Sequence, residues 1–439
     1  MTEDGIKQAL HPGDALVPRP ALGLARFGAD DGPMQRRTIP RNGLQLGHGA
    51  EIFDAPFTDE KMAPRHAEVR FESGRVLLRD LGSPGGTRLN GQPLASEQAL
   101  SPGDVIRLGD TLLVFTASGA PTPLSEVQLI GGSAVMSAVR HSIERVATRK
   151  HSVVVTGETG TGKEEVGRLL HENSRRPGPF LAVNCGTFTE GLLASDLFGH
   201  VRGAFTGAVT EQQGLFRAAR GGTLMLDEVA EIPLSLQANL LRVLEMREVR
   251  PVGGTHHVAT DVRVIATSNR ELMELVQEGR FRADLYSRLA QWTVRLPPLR
   301  ERREDIPALT THLLGRCDGL GRAPTPDLAE ALLAHDWPLN VRGLLSVLSV
   351  AAVSSPEDGP LHLDDEVRLA LWNTRSILAE DDEPEAAEPA TLDKAELTKL
   401  MERFHGKVAA AARELGVSRP RLYRLLWAQS IQPELFRVP

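Results

Sequence analysis

At 439 residues the chain is long for one hydrophobic core and fits two to four domains. A formal net charge of −7 argues against a protein that coats nucleic acid along its whole length, and the two cysteines, Cys185 and Cys317, are too few for a disulfide framework and not spaced with histidines as a zinc site is. The acidic start, Met1 to Ile6, lacks the basic and apolar run of a secretory signal, and no stretch approaches membrane-spanning length, so a cytoplasmic protein without membrane contact is expected.

Between residues 21 and 118, short alternating runs are separated by turn residues. His66-Ala67-Glu68-Val69-Arg70-Phe71 and Arg75-Val76-Leu77-Leu78 flank Glu72-Ser73-Gly74 at hairpin spacing, Asn90-Gly91 marks a tight turn, and Asp104 to Leu108 alternates again, which predicts an all-β sandwich. From residue 127 to 302 the period changes. Apolar β-rich runs at 152–156, 180–185, 223–227, 262–267 and 292–296 alternate with helical patterns such as Leu236 to Leu244, the signature of a parallel sheet covered by helices. Residues 303–372 have helical spacing without strands and read as a lid, entered at Pro297-Pro298.

Residues 376–390 are acidic and broken by proline, a solvated linker. Residues 391–430 form an all-α pattern in which Ala411, Ala412 and Leu415 precede Gly416-Val417-Ser418, and Leu422, Leu425 and Leu426 follow. Two helices crossing at a glycine turn, the second capped by Ser418, satisfy it. Residues 391–439 hold nine Lys and Arg against five acids, so contact with nucleic acid is expected at this end of the chain.

The run Ser152 to Thr156 leads into Gly157-Glu158-Thr159-Gly160-Thr161-Gly162-Lys163. Successive backbone N–H groups at the mouth of a helix cradle a polyphosphate, and Lys163 reaches its β and γ groups. Glu164 stands where Ser or Thr usually holds magnesium. Further on, Gly222 to Glu228 is an apolar strand ending in two acids. Asp227 suits Mg²⁺ coordination and Glu228 suits orienting or deprotonating a water, so ATP and Mg²⁺ are the expected ligands. Ser268-Asn269 is the polar strand end expected of a γ-phosphate sensor, while the spacing of Arg282 and Arg288 around Asp284 is that of ion pairs within the chain. In Gly203-Ala204-Phe205-Thr206-Gly207-Ala208 an aromatic sits between glycines, a costly exposure unless it docks on a partner.

With Asp196-Leu197-Phe198-Gly199-His200 ahead of the GAFTGA segment, these motifs resemble those of the AAA+ bacterial enhancer-binding proteins, which activate the sigma-54 form of RNA polymerase. The resemblance covers nearly all of residues 21–430. It implies that Phe205 and Thr206 touch sigma-54 and that Asn184 holds Glu228 off the water until a ring is engaged. Arg282 and Arg288 become fingers acting on a neighbour's ATP, which requires self-association into a ring, a hexamer by the resemblance. Arg342 becomes the lid's sensor, although Leu339 and Gly343 replace the usual Gly and Glu of its motif.

Residues 44–115 resemble the forkhead-associated (FHA) domain in Leu46-Gly47-His48, Arg65-His66-Ala67-Glu68-Val69, Asp80-Leu81-Gly82-Ser83, Gly86-Thr87, Asn90-Gly91 and Gly103-Asp104-Val105-Ile106. Such domains bind phosphothreonine. Here His48 replaces the family's Arg, Ala63 its Ser and Gly85 its Asn, leaving Arg65, Ser83, Thr87 and Arg88 as phosphate contacts. A degenerate site serving a protein or phosphoprotein partner is expected. The C-terminal pattern resembles the Fis-type helix-turn-helix, which places Ser418, Arg419, Arg421, Tyr423 and Arg424 toward double-stranded DNA. Two rival readings are a DNA-bound regulator whose ATPase no longer turns over and an unrelated AAA+ remodeller. Lys163, Asp227, Glu228, Arg282 and Arg288 count against the first, and the GAFTGA loop with the basic C-terminal segment against the second.

Overall fold

The computed structural model describes residues 20–27, 35–53, 56–72, 74–116, 129–187, 189–317, 321–376, 394–404, 411, 414, 415, 422, 425, 426 and 429. The chain divides into two units between Arg368 and Leu369.

Alternation builds the sandwich. In β4 (Ala67–Glu72) and β5 (Arg75–Asp80) the residues Ala67, Val69, Val76 and Leu78 point inward, and the register pairs Val69 with Leu78. With β1 (Ala21–Leu24), β2 (Arg36–Thr38), β3 (Leu44–Leu46), β6 (Thr87–Leu89), β7 (Gln92–Pro93), β8 (Gln98–Ala99), β9 (Val105–Leu108) and β10 (Thr111–Thr116) they form two sheets of order β2-β1-β10-β9-β6-β7 and β3-β4-β5-β8. Asn90 and Gly91, at φ +50° and +78°, make the tight turn between β6 and β7. The sheets close on Leu22, Leu46, Leu78, Ile106, Leu108 and Leu113, all fully buried.

The α/β part begins with α1 (Ala134–Ala147), then β11 (Val153–Thr156), α2 (Lys163–Glu172), β12 (Phe180–Asn184) and α3 (Glu190–Phe198). A hairpin of β13 (Gly199–His200) and β14 (Gln212–Gln213) follows, then α4 (Leu215–Ala218), β15 (Thr223–Asp227) and α5 (Leu234–Met246). A second hairpin, β16 (Glu248–Val249) with β17 (Val258–Ala259), precedes β18 (Arg263–Ser268), α6 (Leu272–Gln277), α7 (Ala283–Leu289) and β19 (Trp292–Arg295). Neither hairpin was expected, because each strand is only two residues long.

The five long strands run parallel in the order β12-β15-β18-β11-β19. Val153 to Val155, Leu224 to Leu226 and Val264 to Ala266 are buried, which is why they read as unbroken apolar runs. Phe198 and Phe216 stack with ring centres 5.9 Å apart and lock α3 to α4. The carboxyl ends of the strands, Thr156, Asn184, Asp227 and Ser268, come together at one edge of the sheet.

A 3₁₀ segment, Leu299–Asp305, leads into the lid helices α8 (Ile306–Leu314), α9 (Pro326–Ala334), α10 (Asn340–Ser354) and α11 (Asp365–Ser376). An isolated bridge joins Pro324 to Leu361. In the second unit α12 (Lys394–Arg403) contributes Leu397 and Met401 to a cluster with Ala411, Leu422 and Leu426. The expected DNA contacts Ser418, Arg419, Arg421, Tyr423 and Arg424, and linker residues 377–390, lie outside the described residues. Among the described residues no helix is long and apolar enough to cross a membrane.

Candidate active site

The glycine-rich loop leaves β11 and delivers Lys163 to the first turn of α2. Gly162 caps that helix at φ +102°, a conformation closed to most other residues. Lys163 Nζ donates to the carbonyls of Gly157 at 2.8 Å and Glu158 at 3.1 Å. Burial pulls the ammonium below its usual value, and the nearby Asp227 and Glu228 pull the other way. Glu164 is not aimed at this site; its carboxylate pairs with Arg168 one turn along α2, at 3.2 Å.

The loop is stapled to the lid. Arg300 grips the Glu158 carboxylate with two bonds of 2.6 and 2.9 Å, and Asn340 donates from Nδ2 to Glu158 Oε2 at 3.2 Å and to the Thr159 carbonyl at 3.0 Å. Asn340 Oδ1 in turn accepts from the Leu299 amide at 2.7 Å. These bonds, Arg300's first, hold the Glu158 carboxyl below the usual range against partial burial. Beside them Val341 N–H donates to the Gly160 carbonyl at 2.9 Å, and a Cβ on Gly160 would lie 2.2 Å from the Leu339 carbonyl. That contact requires glycine there and sets the neighbouring Arg342 against the phosphate loop.

At the end of β15 the two acids take different roles. Asp227 accepts a short hydrogen bond from the Thr267 hydroxyl, and the same hydroxyl accepts from the Glu228 amide at 3.1 Å. Glu228 sits at φ +55°, which turns its side chain toward β12. There Asn184 Nδ2 donates to Glu228 Oε2 at 3.3 Å, while Asn184 Oδ1 accepts from the Gly186 amide at 2.8 Å and is thereby fixed in orientation. Hard carboxylate oxygens at a strand end, facing an ammonium and amides at a helix mouth, are a donor set that suits a magnesium nucleotide.

At the end of β18 the Ser268 hydroxyl is buried and donates to the Arg270 carbonyl at 2.7 Å, while Asn269 is the exposed polar residue of the strand end. Both candidate fingers are ion-paired within the chain. Arg282 holds Asp284 with two bonds of 2.7 and 3.0 Å, and Arg288 lies 3.3 Å from Glu245.

The GAFTGA segment caps the first hairpin. Gly203 N–H donates to Ala208 O at 2.8 Å and Ala208 N–H to Phe205 O at 3.0 Å, so the tip is a closed turn. Phe205 is 41% exposed, and its only described ring neighbour is His200, edge-on at 5.0 Å. His200 is buried and braced on both nitrogens: Nε2 meets the Thr210 carbonyl at 3.0 Å and Nδ1 the Ser195 hydroxyl at 2.7 Å. Because a carbonyl only accepts, Nε2 carries the proton and Nδ1 accepts from Ser195. The second hairpin supports the same loop through a bridge from His200 to Val252, and Gly253 packs on Ala204.

In the sandwich, buried His66 ties two loops together, accepting from Ala63 N–H at 3.1 Å and donating to Gly86 O at 3.1 Å. The hydroxyls of Ser83 and Thr87 are both spent on Asp80 Oδ2, at 2.7 and 2.6 Å. His48 Nδ1 is turned to the Asp59 carbonyl at 3.0 Å, and Arg88 pairs with Glu330 of the lid at 3.1 Å. Of the expected phosphate contacts only Arg65 stays exposed without a described side-chain partner.

Residues 129–295 match the sigma-54 interaction domain, and residues 300–369 the AAA+ ATPase lid domain. Regulatory protein AtoC of Escherichia coli K12 is 39% identical over 318 residues, 70% of this chain and 68% of AtoC. Response regulator protein PilR of Pseudomonas aeruginosa is 39% identical over 339 residues, 74% of this chain and 75% of PilR. The chain belongs to the sigma-54-dependent transcriptional activators. The crystal structure of NtrX from Brucella abortus, solved also with ATP, aligns at a TM-score of 0.52 with 32% identity over 69% of each chain.

The activator carries an FHA domain match at residues 41–109 and a Fis-family bacterial regulatory protein match at 388–426. Its engine is an AAA+ ATPase. Sequence reasoning missed four contributors to the activator's site: Arg300 and Asn340, which hold Glu158; Thr267, which orders both acids; and His200 as the brace under Phe205. Only His200 has a local signal, as the last residue of the Asp196-Leu197-Phe198-Gly199-His200 segment.

Proposed function

We propose that this activator binds ATP with Mg²⁺ along residues 157–163, assembles into a hexameric ring in the cytoplasm, binds upstream double-stranded DNA through Ser418, Arg419, Arg421, Tyr423 and Arg424, and drives the closed sigma-54 polymerase complex to the open complex. The Asn184–Glu228 hydrogen bond carries the reading. It links the residue suited to orient water to a neighbouring strand end, so hydrolysis waits on whatever moves Asn184. Mg²⁺ held by Asp227 would supply charge neutralisation on the phosphates. Lys163 and the amides at the mouth of α2 bind the phosphates, Arg342 closes over them from the lid, and Glu228 holds the attacking water.

Arg282 and Arg288 lie in exposed pairs, which water and salt screen, so that they are released at little cost to a neighbouring subunit's phosphate. Phe205 and Thr206 form the output. The sandwich is a regulatory or docking module whose phosphothreonine affinity is weak, since its hydroxyls are committed to Asp80.

The test is transcription in vitro from a sigma-54 promoter, with purified full-length chain and either ATP or a non-hydrolysable analogue. Open complexes are expected only with ATP, and Thr206→Ala is expected to lose them while still hydrolysing ATP. A chain that hydrolyses ATP yet yields no sigma-54-dependent transcript overturns the proposal.

A further inference from the structure

Arg88 on β6 and Arg107 on β9 are direct register partners on adjacent strands. Two like charges set side by side destabilise a sheet unless an acid lies between them. Here that acid comes from the lid: Glu330 on α9 accepts from Arg107 Nη1 through Oε2 at 2.9 Å and pairs with Arg88 Nε through Oε1 at 3.1 Å, one oxygen to each arginine. Arg107 also reaches Asp327, one turn earlier on α9, at 2.6 Å. The Glu330 side chain is only 7% exposed and the Arg107 side chain 13%, whereas Arg88 is 45% exposed and Arg107 also has Asp110 of the sandwich at 3.5 Å, so Glu330 is the charge that would be costly to leave buried alone.

The same seam meets the segment that holds the phosphate loop. Arg36 of β2 donates to the Gly132 carbonyl at 2.9 Å and lies 3.1 Å from Glu304, while a Cβ on Gly103 would sit 3.7 Å from the Arg300 carbonyl. Arg300 is the residue that grips Glu158, and its neighbour Arg302 donates to the Thr161 carbonyl at 3.1 Å. The seam is ionic and imperfect: Arg36 Nε, Arg303 Nε and Glu304 Oε2 are buried with no hydrogen-bond partner among the described residues.

We infer that the Arg88–Arg107 pair is an intramolecular clamp: by gripping Glu330 it fixes lid helix α9 and, through the 299–305 segment, the setting of the phosphate loop, and its release frees the lid for nucleotide exchange. The inference rests on the reading of residues 157–163 as the ATP loop. It gives the sandwich a task independent of phosphothreonine, with the lid's own carboxylates as the ligand of its basic pair.

Hydrogen exchange on the full-length chain tests the clamp without nucleotide, DNA or polymerase. Glu330→Gln and Arg107→Gln are each expected to speed exchange of the 326–334 amides about tenfold relative to those of β15, and raising salt from 50 to about 500 mM is expected to do the same in the unmodified chain, by screening the charges that opening exposes to water, but not in Glu330→Gln. Stopped-flow release of a fluorescent ATP analogue should accelerate in parallel. Should the variants fold poorly, the salt series on the unmodified chain decides alone. Exchange over 326–334 that is indifferent to salt and to both variants overturns the clamp. Altered exchange with an unchanged analogue release rate overturns its link to the nucleotide loop. Failure of the unmodified chain to bind the analogue defeats the nucleotide reading itself, and the link with it.

Discussion

Two regions of this activator carry sequences that resemble phosphate-reading motifs, and they are built by different means. The loop at residues 157–163 uses backbone amides, a helix mouth and one lysine, with Glu158 turned away to anchor the loop on the lid. The sandwich relies on side chains, and at His48, Ala63 and Gly85 those side chains have changed, while Ser83 and Thr87 spend their hydroxyls on Asp80. A site made of main chain tolerates sequence drift around it. A site made of three side chains is expected to weaken with them, even where His66 keeps the loops in place.

The contrast breaks most sharply at the nucleotide loop. Lys163→Ala is expected to lower ATP turnover by about 10³-fold or more, measured as phosphate release, because the one side chain that the main-chain cradle cannot replace is gone. Glu228→Gln should bind ATP and accumulate rings while hydrolysis falls by about 10²-fold or more, seen by comparing nucleotide binding with phosphate release; normal turnover would remove its role. At the output loop, Thr206→Ala should keep turnover within about twofold and lose open-complex formation in a promoter-melting assay, and equal loss of both activities would make the loop structural.

The sandwich offers the reverse experiment. Isothermal titration of the unmodified chain with phosphothreonine peptides should show no micromolar binding, whereas His48→Arg, Ala63→Ser and Gly85→Asn together should gain about 10²-fold, since a charge-assisted fork is restored. A Cβ at position 85 meets only the Lys61 carbonyl, at 3.7 Å, an ordinary contact, so a side chain can start there without a clash. Micromolar binding by the unmodified chain that vanishes on dephosphorylation would refute the degenerate reading.

The smallest effect concerns the seam. Burial pushes the Glu304 carboxyl up to about 7, against the pull of Arg36. A raised folded value stabilises the chain fully below the ordinary carboxylate range and loses that stabilisation as pH rises through about 7. Glu304→Gln should therefore flatten a decline in stability between pH 5 and 7 that is on the order of 1 kcal/mol per pH unit at most, followed by chemical denaturation.

The strands and the phosphate loop were legible because their signals are local: a buried parallel strand is an apolar run, and a helix-mouth cradle is a glycine pattern. What stayed hidden depends on residues far apart in the chain. Nothing near Glu158 announces Arg300 or Asn340, which arrive from the lid. Thr267 reads as one more strand residue until β18 pairs beside β15 and its hydroxyl meets Asp227. Ser268-Asn269 reads as a sensor from its place at a strand end, a pattern that does not show the Ser268 hydroxyl turning inward to close the following turn at Arg270. The ion pairs of Arg282 and Arg288 follow from spacing for Asp284 but not for Glu245, which comes from another helix.

Asn340 shows how narrow a single choice can become. It is fully buried at φ +51°, with its amide divided between Glu158, Thr159 and Leu299. Glycine would keep the turn and drop every side-chain bond. Aspartate would keep the turn and set a second anion against Glu158, and a longer amide would resist the left-handed backbone. Whatever drift the lid undergoes elsewhere, this position has one amino acid that meets all of its demands at once.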